Sequence, residues 1–132
     1  MVSIGAAARQ SGLSVETVRF YERAHVVPPP QRSESGRRIY DDADIARLSL
    51  IRRCRDLGFS LPDARNLLAL SEADDTPCAE VKAIAEAHLA GVHGKIAALR
   101  EMETALNKLV SDCAVGKTDC QALRVLARQR GA

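Results

Sequence analysis

The residues in this sequence best suited to chemistry are four cysteines, at positions 54, 78, 113 and 120. The chain is rich in arginine and opens without a basic stretch followed by an apolar one, so thiol or metal chemistry is expected rather than a disulfide framework. Cys54 lies between Arg53 and Arg55 inside a predicted helix, where a lone cysteine acts as a small hydrophobe, and it is assigned no role. Cys78 falls in the first turn, and Cys113 just past the last turn, of one long helix predicted over residues 76–112. Backbone amides and the helix dipole favour a thiolate at Cys78.

Cys78 and Cys113 are 35 positions apart, which at 1.5 Å per helical residue is about 52 Å. One chain therefore cannot bring both to a single ion. Two such helices packed antiparallel about a two-fold axis set Cys78 of one chain beside Cys113 of the other, at both ends of the coil. Cys120 closes the loop that starts at Cys113, and Gly116 helps that loop curl until both its sulfurs face one centre. The expected site is three thiolates, Cys78, Cys113 and Cys120, drawn from two subunits.

Three sulfurs without an evident fourth ligand suit Hg(II), Cd(II) or Pb(II), which accept trigonal thiolate coordination, better than tetrahedral structural Zn(II). Asp112, Asp119 or water would complete a four-coordinate site for Cd(II) or Zn(II). Three unrelated thiols would leave their clustering at the termini of one helix unexplained. A second reading keeps the same frame as a thiol redox sensor, with Cys113 and Cys120 pairing on oxidation. A cysteine enzyme is disfavoured: His25, His88 and His93 have no evident pairing with a cysteine and no oxyanion-hole motif is present, so no catalysis is expected. His88 and His93 read as rim residues of the long helix.

The elements that must position these sulfurs follow from caps and periodicity. Ser3 caps a first short helix that stops at Gly12, and Ser14 caps a second, through about Arg23, with Val15, Val18 and Tyr21 facing inward. Two short helices joined at a glycine read as a helix-turn-helix. Pro28, Pro29 and Pro30 end the second helix, and residues 31–40 form a two-stranded wing turning at Gly36, with Arg32, Arg37 and Arg38 clustered on it. Asp41 caps a third helix whose apolar face is Ile45, Leu48, Ile51 and Leu57. Ser60 caps a fourth, packed through Leu61, Ala64, Leu67 and Leu68. The long helix then carries a stripe of Val81, Ala85, Val92, Leu99, Met102, Leu106 and Leu109, flanked by Leu89, Ile96 and Val110. Such a stripe requires a partner helix.

The predicted organisation is a winged helix-turn-helix DNA-binding region over 1–75, a dimerisation helix over 76–112, and a metal-binding loop with a short terminal helix over 113–132. The fold is mainly α: 46% of residues are hydrophobic but only 3% aromatic, with no Trp, which suits helix packing over a β-sandwich. No run approaches the roughly 18 apolar residues that a membrane span needs, so a cytoplasmic protein is expected. Net charge is only +2, but residues 1–40 hold six Arg against three Glu, whereas the remainder holds thirteen basic against fourteen acidic residues. The positive surplus sits on the helix-turn-helix and wing, where phosphates would be met.

The segments Ile4-Gly5, Ala7-Ala8, Gly12-Leu13-Ser14-Val15-Glu16-Thr17-Val18-Arg19-Phe20-Tyr21-Glu22, Gly36-Arg37-Arg38-Ile39-Tyr40 and Leu57-Gly58-Phe59-Ser60-Leu61 resemble the MerR family of bacterial transcription regulators. The three cysteines resemble those of its metal-sensing branch. The resemblance implies a homodimer linked by an antiparallel coiled coil. It further implies double-stranded promoter DNA contacted by Thr17, Arg19 and Tyr21 and gripped by Arg37, Arg38 and Tyr40 of the wing. Activation would come from distorting an overlong promoter spacer so that RNA polymerase engages both of its elements. Cysteine at 78 is similar to regulators of divalent ions. The run Leu99-Arg100-Glu101-Met102-Glu103-Thr104 looks like mercury regulators, and the short Cys113–Cys120 loop is closer to cadmium and lead sensors. The family commonly carries a Lys-Gly pair where this chain has Ala24-His25, and Pro where it has Gln121.

Overall fold

The computed structural model describes residues 1–75, 77–113 and 121–128. In chain order these form α1 (Ile4–Ser11), α2 (Val15–Arg23), β1 (Gln31–Arg32), β2 (Arg38–Ile39), α3 (Asp42–Asp56), α4 (Leu61–Ser71), α5 (Cys78–Cys113) and α6 (Gln121–Arg128). Two compact units divide the chain, residues 1–85 and 86–132.

The first unit is organised by its caps. Ser3, Ser14 and Ser60 accept from the backbone amides of Ala6, Thr17 and Asp63, each occupying an otherwise orphaned donor of the helix it opens. Asp41 and Asp44 form a reciprocal capping box at α3, bonding each other's backbone amides at 2.8 and 3.1 Å. Those bonds hold the Asp41 carboxyl below the usual carboxylate range. Gly12, at φ 76°, ends α1 in the left-handed conformation, and a Cβ there would lie 2.6 Å from the Arg52 guanidinium. The turn into α2 thus requires glycine for two separate reasons.

The core gathers Ala7 and Ala8 of α1, Val18 and Tyr21 of α2, Leu48, Ile51 and Cys54 of α3, and Ala64 and Leu68 of α4 around Val26, Val27, Tyr40 and Phe59. Ile84 packs against it. Leu57 departs from expectation. It caps the C-terminus of α3 and is 68% exposed, because Gly58 at φ 86° turns the chain and delivers Phe59 to the core instead. Burial raises the Cys54 thiol above its ordinary range, as befits a cysteine serving as a hydrophobe.

The wing is an antiparallel pair with Gln31 opposite Ile39 and Arg32 opposite Arg38. Its turn closes through Gly36 N–H to Ser33 O at 2.9 Å and Ser33 N–H to Arg37 O at 2.8 Å. A bridge between Val2 and Tyr40, bonded in both directions, ties the wing's base to the start of the chain.

Helix α5 buries none of its residues, and Leu89, Ile96, Leu99, Met102, Leu106 and Val110 stand exposed along it. The expected cap Thr76 and the loop ending in Cys120 lie outside the described residues. Among the described residues no helix is long and apolar enough to cross a membrane.

Candidate nucleic-acid interface and metal centre

Helix α2 presents Glu16, Arg19, Phe20 and Arg23 to solvent, with Phe20 47% exposed, while Val18 and Tyr21 turn into the core. The resemblance implies DNA contacts at Thr17, Arg19 and Tyr21, but Tyr21 faces inward, as its helical spacing with Val15 and Val18 predicts. Residues two apart on a helix point about 200° from each other, so only Arg19 of the three is fully outward. Thr17 is half-buried, its hydroxyl 2.8 Å from that of Ser14 within the cap. Phe20 and Arg23 were missed, and a strict three-and-four spacing from Glu16 would have found them.

A cleft of about 520 Å³ opens between α1, α2 and the wing, lined by Ser3, Ile4, Arg19, Arg32, Gly36, Arg37 and Arg38. Four arginines therefore line one concavity. Arg37 is exposed at the wing tip. Arg32 donates through Nη1 to the Gly36 carbonyl at 2.8 Å, which stiffens the turn beneath it.

Tyr40 also departs from its expected place. It is 2% exposed, and its hydroxyl donates to Glu22 Oε1 at 2.5 Å. Burial first, and then the Glu22 carboxylate, push its ionisation well above the ordinary tyrosine range. The burial that places Tyr40 in the core withdraws it from any solvent-facing grip. Arg38 is half-buried and pairs through Nε with Glu22 Oε2 at 3.2 Å. Glu22 is a third residue that sequence reading passed over, since its partners lie 16 and 18 positions away and no local pattern signals them.

Cys78 and Cys113 are the first and last residues of α5, and both are exposed. Cys113 belongs to the helix's last turn rather than lying just beyond it. Among the described residues one chain offers no cluster of three or more His, Cys, Asp or Glu side chains able to hold a metal. Cys54, buried in the core, is removed from the donor set. His88 is half-buried and His93 exposed on α5. Cys120, the third expected donor, lies outside the described residues.

A glycine-turned helix pair presenting an arginine-bearing helix, followed at once by a short basic hairpin, defines a winged helix-turn-helix DNA-binding protein. Comparison with known proteins narrows the class. The model for MerR HTH family regulatory proteins matches residues 2–71, and that described as MerR, DNA binding matches residues 45–109. The chain belongs to the MerR family of transcription regulators, which are not enzymes. It is 39% identical over 132 residues to the HTH-type transcriptional regulator HmrR of Sinorhizobium medicae (strain WSM419), covering 99% of this chain and 90% of that protein. It is 36% identical over 132 residues to the mercuric resistance operon regulatory protein of Shigella flexneri, covering 98% and 90%. Among solved structures, that of the transcription regulator PbrR691 from Ralstonia metallidurans CH34 in complex with lead(II) matches with a TM-score of 0.77 at 38% identity. That match covers 96% of this chain and 99% of the other.

Proposed function

We propose that this chain is a homodimeric regulator that binds promoter DNA through α2 and the wing and responds to a thiophilic divalent ion, Hg(II), Cd(II) or Pb(II), with Zn(II) a poorer match. The observation that carries the reading is the placement of two exposed cysteines at opposite termini of one uninterrupted helix. Antiparallel pairing of two such helices sets Cys78 of one subunit beside Cys113 and Cys120 of the other. The exposed apolar residues of α5 supply the surface for that pairing. The relatives' names, one for a mercuric operon and one for a lead(II) complex, fit the same donor chemistry.

In this reading Arg19 and Arg37, with Arg38 at the wing's root, meet phosphates and base edges, and Thr17 steadies the start of α2. The ion favours one of two dimer conformations, and the free energy available for distorting the promoter spacer before RNA polymerase is its differential affinity for them. The test is subunit mixing. Cys78→Ser and Cys113→Ser homodimers should each lose tight Hg(II), Cd(II) and Pb(II) binding in titrations with promoter readout. The mixed heterodimer should regain one ion, because one end of the coil keeps all its donors. Absence of that recovery, with both variants dimeric, defeats the intersubunit site.

A further inference from the structure

Glu22 is an acidic residue paired with Arg38, one of the arginines that line the cleft, and nothing in the metal chemistry uses it. Its side chain is only 7% exposed, and its two oxygens are divided between different parts of the wing. Oε1 accepts from Tyr40 Oη at the wing's base, and Oε2 pairs with Arg38 Nε in β2. Glu22 also stands one turn after Arg19 on α2, so the two share a side of that helix. One carboxylate thus joins the helix that carries Arg19 to the hairpin that carries Arg32, Arg37 and Arg38.

The wing has little else to hold it. Its ladder is two residues per strand, and an isolated hairpin of that length has no appreciable stability in water. Besides the Val2–Tyr40 bridge and the burial of Tyr40 in the core, the Glu22 contacts tie it to α2. Four arginines line one cleft, and the Glu22 carboxylate offsets the charge of one of them, Arg38. We propose that Glu22 is a positioning residue that fixes the spacing between Arg19 and the wing arginines, so that both engage one DNA duplex together. The proposal rests on the DNA-binding reading above and assigns Glu22 no contact with DNA.

The experiment uses the full-length protein and a duplex enriched by the parent from a random-sequence library. Failure of the parent to enrich any duplex would sink the DNA-binding reading itself, which separates the two failures. Affinity is then measured by fluorescence anisotropy across a salt series for Glu22→Gln and Tyr40→Phe, with unfolding followed by circular dichroism. Glu22→Gln should weaken binding about tenfold at moderate salt and lower the slope of log K against log salt by about 2, as wing phosphate contacts are lost. Tyr40→Phe, which alters a buried group only, should shift both readouts the same way by a smaller amount. A merely structural role would reduce the active fraction at an unchanged slope. Parent-like slopes in both variants, or losses that track the unfolded fraction, overturn the proposal. If Glu22→Gln fails to fold, the slope of Tyr40→Phe decides alone.

Discussion

Single residues decide how the wing meets the rest of the DNA-binding unit. Tyr40 reads in sequence as one more wing residue, yet it is core, because a phenol with a buried carboxylate partner loses little on leaving water. Glu22 and Tyr40 are 18 positions apart, and no helical or strand periodicity spans that separation, so their pairing was not legible. A pH consequence follows from the raised ionisation of Tyr40. The folded state holds this proton where an unfolded tyrosine releases it near pH 10. Its contribution is fully present below that pH and is lost as pH rises toward the elevated folded value. Urea unfolding between pH 8 and 11 should show the parent losing stability relative to Tyr40→Phe only above about pH 10, by no more than about 1.4 kcal/mol per pH unit. A constant difference across the range would show that the phenol does not titrate differently in the two states.

At the scale of elements, the caps were the most legible part of the chain. Ser3, Gly12, Ser14, Asp41 and Ser60 each stand where their chemistry predicts, because a cap is a local bargain between one side chain and amides within a turn. Facing was less legible. The helical period of α2 sets Tyr21 inward, whereas the resemblance groups it with Thr17 and Arg19 on DNA, and the burial of Tyr21 sides with the period. Leu57 was assigned to the core through its apolarity, although the helix ends one residue earlier. His25, where the family commonly has glycine, adopts φ 57°, so the departure seen in sequence keeps the left-handed backbone without glycine's freedom. The α1–α2 turn gives a direct measurement. Gly12→Ala should lower stability by about 1–2 kcal/mol, from its positive φ and its approach to Arg52. Combining it with Arg52→Ala should recover only the steric part. Full recovery in the double variant would remove backbone strain from the account.

For the molecule as a whole, the stripe on α5 was readable as a request for a partner because its apolar spacing persists through about eight turns of a single helix. The placement of Cys78 and Cys113 at its ends was readable from the same helix, whereas the loop bearing Cys120 lies outside the described residues. Leu99 and Leu106 are 62% and 60% exposed, more apolar surface than a lone helix keeps in water without cost. Leu106→Glu should place two carboxylates in the dimer seam and drive the protein toward its 14.3 kDa monomer in sedimentation at micromolar concentration. Tight metal binding should vanish with the dimer. A variant that sediments as a monomer yet still binds ions tightly would move the sulfur site onto a single chain.

Under the proposed intersubunit site, the uninterrupted run of α5 from Cys78 to Cys113 has an outcome in mass action. When the ligands of one ion belong to two molecules, ion uptake and self-association become reciprocal, and each tightens the other by the same factor. The threshold at which the protein answers a toxic ion then depends on how many copies the cell holds, and dilution alone raises it.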